Sequence, residues 1–140
     1  MYAGTKALVV ILACCGIAAA KKCPSTSIIT EKSFKGLSFV AQVDVESMKA
    51  WGNQHEETFA YNVKYKKFIK EFRGTSTILG TRVRDYYIPN PITITSSERE
   101  PCTVRLQVGQ LYIVGCAGEC NFVRPYGDLT SGERQLLGLK

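Results

Sequence analysis

The chain of 140 residues holds one histidine and one tryptophan, and its only long apolar run lies within the first twenty residues. Each scarcity excludes something. His55 lies in the polar stretch Asn53-Gln-His-Glu-Glu57, with no nucleophile positioned beside it, which argues against nucleophilic or acid–base catalysis. Paired C-x-x-C knuckles are missing, so the cysteines do not read as a structural zinc site. Repeats, low-complexity tracts and long linkers are also missing, which leaves a single domain. Glu56-Glu57 and Glu98-Arg99-Glu100 read as solvated loop charges.

What is there begins with an address. One positive side chain in Met1–Lys6, an apolar stretch from Ala7 to Ala20 and the small residues Ala18-Ala19-Ala20 describe a secretory signal peptide over residues 1–20. Its apolar part is too short to cross a hydrocarbon layer of ~30 Å, so no membrane anchor is expected. Cys14 and Cys15 leave with that segment. The mature chain, 21–140, is expected to be secreted and extracellular. Removing Lys6 takes the formal charge from +6 to about +5.

Four cysteines remain: Cys23, Cys102, Cys116 and Cys120. An even set behind an export signal reads as a disulfide framework, which persists in an oxidising compartment. Leu37-Ser-Phe-Val-Ala-Gln-Val-Asp-Val45 alternates as a half-buried strand. Met48 to Glu57, polar and containing Gly52-Asn53, is expected to be a loop. Thr58 to Phe68 has the cleanest period of two, with Phe59, Tyr61, Val63 and Tyr65 on one face. Short strands are expected at Ser76–Leu79, Arg82–Ile88 and Ile92–Thr95, followed by a hairpin of Cys102–Val108 with Gln110–Val114 across Gly109. Five or six such strands suggest a small closed or nearly closed barrel, which removes open sheet edges. Helix is confined to Asp128–Gly138, where Thr130 and Glu133 carry a capping-box signature, with a weak turn near Thr30–Lys35.

The ordered set Val40-Ala41-x-Val43, Tyr61-x-Val63-Lys64, Phe72-Arg73-Gly74, Tyr112-Ile-Val-Gly115 and Cys120-x-Phe-Val-x-Pro125-Tyr126 resembles the netrin-like module. It is most similar to the N-terminal domains of tissue inhibitors of metalloproteinases. The resemblance implies a mainly β fold: a five-stranded oligonucleotide-binding-type barrel with a short C-terminal helix. It also implies inhibition of an extracellular metalloproteinase without any cofactor of its own. In that family the first cysteine's free α-amine and carbonyl oxygen bind the catalytic zinc of the protease. Such a zinc keeps an open coordination position.

Carried onto this chain, the resemblance assigns protease contact to Lys21, Lys22, Cys23, Pro24, Ser25, Glu100, Pro101 and Cys102, with Cys23 main-chain atoms toward the partner's zinc. The family begins Cys-x-Cys; this chain reads Lys21-Lys22-Cys23-Pro24-Ser25. If Cys23 matches the first family cysteine, the pairing is Cys23–Cys102 with Cys116–Cys120, and the two lysines must be trimmed to free the amine. If it matches the second, the pairing is Cys23–Cys120 with Cys102–Cys116 and the mature start is Lys21. The ungapped spacing to Val40-Ala41-x-Val43 favours the second register, while a chelating cysteine amine requires the first.

The basic run Lys64, Lys66, Lys67, Lys70 and Arg73 reads either as a solvated face or as a site for a heparin-like glycan. Alternation places Lys64 and Lys66 together, with Lys70 and Arg73 on the following turn. Barrels of this type also bind single strands of nucleic acid, a role the export signal argues against. Metalloproteinase inhibition is thus the leading expectation. The rival is a non-inhibitory module that binds a matrix or cell-surface protein or a sulfated glycan.

Overall fold

The structure, a computed structural model, describes residues 23–73 and 75–139. The expected signal peptide lies outside them, as do Lys21, Lys22, Gly74 and Lys140. Among the described residues seven strands form: β1 Phe39–Gly52, β2 Glu56–Glu71, β3 Thr75–Ile78, β4 Thr81–Arg84, β5 Ile92–Ser97, β6 Leu111–Ala117 and β7 Glu119–Pro125. Five make one antiparallel sheet in the order β5-β2-β1-β6-β7, while β3 and β4 form a separate small hairpin. The outer strands β5 and β7 approach one another, so the sheet curls into a nearly closed barrel with the strand order of the oligonucleotide-binding type.

Alternation in β1 and β2 produces the interior. Phe39, Ala41, Val43 and Val45 face Tyr61 and Val63 inside, with Ile92, Ile94, Tyr112 and Val114 completing the core. Each such side chain contributes roughly 1.5–3 kcal/mol by leaving water. Bulges at Glu46, Lys66 and Ile69, skipped in the β1–β2 register, bend the long hairpin. A second core lies outside the barrel, where Ile29, Leu37, Val40, Ile113, Phe122, Leu129 and Leu137 pack together. The helix α1, Ser131–Leu136, supplies part of its cover; Thr130 and Glu133 make the expected capping box, and Gly138 ends the element at φ 72°. The weak turn near Thr30–Lys35 is a 3-10 turn over Glu31–Phe34.

Besides the strand expected over Arg82–Ile88, which ends at Arg84, three expectations are corrected. Met48–Glu57 is mostly strand, not loop: β1 continues to Gly52, and only residues 53–55 turn. Its alternation is illegible because Glu46–Gly52 is exposed on both faces. The turn itself is built by Asn53, whose Oδ1 accepts the N–H groups of His55 (2.8 Å) and Glu56 (3.1 Å). Gly52 is required there, since a Cβ would lie 2.2 Å from the Glu56 oxygen.

The hairpin expected across Gly109 is absent from the described residues. β6 pairs with β1 and β7 instead, and the tight turn is at Gly118. Residues 101–107 are a connector without a ladder. Val104 and Leu106 point inward like strand residues, but tyrosine hydroxyls replace the neighbouring strand: Tyr61 Oη accepts Leu106 N–H at 3.2 Å and Tyr112 Oη accepts Gln107 N–H at 2.8 Å. The third correction is Lys70, which lies within β2 and not on the turn after it.

Candidate functional site

The disulfides settle which parts of the chain meet. Cys23 is bridged to Cys102, 79 residues away, with Cα atoms 5.5 Å apart, and Cys116 is bridged to Cys120 across the Gly118 turn. Cys116 and Cys120 are direct partners in the β6–β7 register, so the hairpin itself brings their sulfurs together. This is the pairing of the first register and not the one that spacing favoured. Linear spacing misled because it could not show that β6 turns directly into β7.

The bridge unites two pinned segments. Ser25 forms a parallel bridge with Phe122 on β7: its N–H donates to the Asn121 carbonyl at 2.9 Å, and its carbonyl accepts from Val123 N–H at 2.9 Å. Pro24 is buried between these anchors and the disulfide, while Ser25 is exposed. On the other side, the hydroxyls of β5 hold the connector. Ser96 Oγ accepts Cys102 N–H at 2.9 Å, and Ser97 Oγ accepts Glu100 N–H at 3.0 Å. Arg105 donates to the Cys102 carbonyl at 3.0 Å while its guanidinium lies 4.0 Å over the Phe59 ring.

Cys23, Pro24, Ser25, Glu100, Pro101 and Cys102 are therefore brought together in one ridge. Glu100 and Pro101 are exposed on it, and Cys102 is buried beneath. Beside the ridge a shallow cleft of about 350 Å³ is lined by Ser25, Thr30, Lys32, Lys35 and Asn121. His55 and Glu98 flank the connector: Glu98 N–H donates to the His55 carbonyl at 3.1 Å, and Nδ1 of His55 lies 2.9 Å from the Glu98 carboxylate. The pair is exposed on both sides, which suits a surface clasp. Ser96 and Ser97 were not singled out from sequence; two serines at a strand end carry no signal until their partners are known. Among the described residues, no group of three or more His, Cys, Asp or Glu side chains is placed to hold a metal ion.

The basic run is spread along β2 and the segment after it. Lys64 and Lys67 lie opposite Asp44 and Gln42 on the outer face of the barrel, and Lys66 occupies a bulge. Lys70 stands 5.9 Å from the Phe34 ring centre, and Arg73 follows the strand end. At this end of the barrel, Arg84 donates to Glu71 at 2.7 Å and lies over Phe68, while Tyr86 also donates to Glu71. Burial, then that bond to Glu71, pushes the Tyr86 hydroxyl up to about 12. Burial also pushes Tyr65 well above the usual phenol range. These are structural clamps on the aromatic cluster of Phe39, Tyr65, Phe68 and Tyr86.

Comparison with known proteins places this architecture. Residues 21–138 match the family described as AceES-2, excretory-secretory protein 2. Among solved structures, the chain is similar to Ancylostoma ceylanicum excretory-secretory protein 2, at 19% identity and a TM-score of 0.44 over 82% of this chain and 98% of that one. No curated protein gives a significant match. The chain belongs to the excretory-secretory protein 2 family.

Proposed function

We propose that this chain is a secreted, non-catalytic, netrin-like binding module that engages an extracellular protein through the Cys23–Cys102 ridge. The observation that carries the reading is the bridge itself. It ties a segment already hydrogen-bonded to β7 onto a connector already hydrogen-bonded to β5. Ser25, Glu100 and Pro101 are thereby held at the surface in one geometry, so little ordering entropy is lost when a partner docks. The outer-face lysines Lys64 and Lys67 add a place where a sulfated glycan of the matrix can sit alongside such a protein.

Zinc-protease inhibition is a second reading, favoured by the same bridge. The Cys23–Cys102 pairing is the one in which Cys23 takes the place of the chelating cysteine of metalloproteinase inhibitors. In the encoded chain, however, Lys22 acylates the Cys23 nitrogen. An amide nitrogen offers zinc no lone pair, so chelation by Cys23 requires that Lys21 and Lys22 be removed. Lys21's own amine, two residues further out, lacks the disulfide that would fix it. The order of the two readings therefore turns on the mature N-terminus, and N-terminal sequencing of the secreted protein tests it. A start at Lys21 supports the non-inhibitory module. A start at Cys23 transfers the assignment to inhibition.

A further inference from the structure

The long hairpin leaves one edge open. β6 covers β1 only from Phe39 to Asp44, and the Gly109–Gln110 turn covers Val45 by bonding its N–H and carbonyl. Beyond that, among the described residues, Ser47–Gly52 pairs with β2 alone. The stretch is exposed throughout and carries Met48 and Trp51 at 47% and 51% exposure. Unpaired edges with apolar side chains are templates for another strand. The bulge and carboxylate of Glu46 and the ammonium group of Lys49 oppose pairing here.

We propose that Lys49–Gly52 is a self-association edge, where a second copy of this chain adds its own β1 antiparallel about a two-fold axis. The register follows from the faces. Met48 and Ala50 lie opposite the inward residues Tyr61 and Phe59, whereas Lys49 and Trp51 lie opposite Ala60 and Thr58 on the outer face. Val45 sends its main-chain groups toward the open edge, and alternation beyond the bulge returns those of Met48, Ala50 and Gly52 to it.

Every register centred on a residue keeps like faces together, and centring on Trp51 leaves only Ala50 and Gly52 to form the ladder. Centring on Met48 sets Trp51 against the partner's Val45, whose edge the Gly109–Gln110 turn already occupies. Centring on Lys49 sets two ammonium groups directly opposite each other. Centring on Ala50 has none of these faults. Ala50 exchanges both its bonds with its symmetry mate, Met48 does so with Gly52, and Lys49 lies across from the Trp51 ring in both directions. That cross-pair is a cation–π contact, made twice by the symmetry. The edge is thus complementary to itself.

Sedimentation velocity of the secreted protein from roughly ten micromolar to one millimolar tests the proposal. The protein is expected to pass from monomer to dimer over that range, with the emission of its one tryptophan shifting blue in step. Ala50→Pro removes an N–H that only the partner strand uses, and edge positions tolerate proline. Lys49→Glu sets a carboxylate against the ring. Both variants should remain monomeric at every concentration while keeping the parent's circular dichroism. Should Ala50→Pro disturb the hairpin, Lys49→Glu alone decides. A parent that stays monomeric at the highest concentration, or a dimer that survives Lys49→Glu undiminished, overturns the proposal.

Discussion

The carboxylate of Glu133 accepts the main-chain N–H of Ile29 at 2.8 Å, which ties the C-terminal helix to the N-terminal segment across 104 residues. The same buried carboxylate accepts two bonds from Arg124, at 2.9 and 2.7 Å, and the Thr130 N–H at 2.9 Å. Arg124 in turn donates to the Thr26 and Asp128 carbonyls. One ion pair thereby holds together β7, the helix cap and the segment that leads out of the ridge.

This arrangement sets an acid limit on stability. Burial alone would raise the Glu133 pKa, but the Arg124 bonds, then those from Thr130 and Ile29, hold it at about 2. A folded pKa below the unfolded value contributes stability that is complete above about pH 5 and is lost as pH falls toward 2. Thermal melts between pH 7 and 2 should show that loss. Glu133→Gln should cost roughly 3 kcal/mol at pH 7, because the partly buried Arg124 is left without its anion, and should flatten the acid dependence. A variant as stable as the parent at pH 7 would contradict this.

The two disulfides should differ in worth. Cys23–Cys102 closes a loop of 79 residues and Cys116–Cys120 one of 4. Chain-entropy reasoning gives about 4.5 kcal/mol for the first and about 2 for the second. Denaturant unfolding of the paired Cys→Ser variants measures both. Equal losses, or a larger loss at Cys116–Cys120, would count against it.

Gly115 should resist any side chain. A Cβ there would lie 2.4 Å from the Phe122 ring and 2.8 Å from Leu37. Gly115→Ala should therefore cost roughly 1–3 kcal/mol by overpacking the outer core. Gly127→Ala, with open space and no left-handed backbone, should change stability by less than about 0.5 kcal/mol. Urea midpoints for the two variants make the comparison.

On heparin, the outer-face lysines should act as a pair. Lys64→Gln with Lys67→Gln should lower the salt needed for elution, whereas Lys70→Gln, drawn toward Phe34, should leave it nearly unchanged. Elution of the unmodified protein below physiological salt would reduce the whole run to a solvated face.

Much of this fold was legible where one face of a strand is buried. Phe59, Tyr61, Val63 and Tyr65 announced β2 because water and core alternate along it, and Thr130 with Glu133 announced the helix because a cap needs both. Met48–Glu57 reads as loop in the sequence because a strand exposed on both faces has no alternation to show. Cys102–Val108 was read as a hairpin strand because inward Val104 and Leu106 mimic one, although tyrosine hydroxyls take the place of its ladder. The family resemblance names Cys23, Pro24, Ser25, Glu100, Pro101 and Cys102 together, and the fold brings those six side by side. The bridge that builds the ridge is one of two pairings the sequence leaves open, since pairing among four cysteines depends on which strand follows which turn.

The most direct test of the binding-module account is a zinc-protease panel, spanning matrix and disintegrin-type metalloproteinases, against protein with a chemically verified start. The account predicts that micromolar protein beginning at Lys21 leaves every protease active, and that acetylating its α-amine changes nothing. Inhibition by the Lys21-start form that disappears on acetylation would contradict it, because the unanchored lysine amine would then be the zinc ligand. Inhibition confined to protein beginning at Cys23 would show that Lys21-Lys22 is a removable pro-segment guarding an inhibitory cysteine.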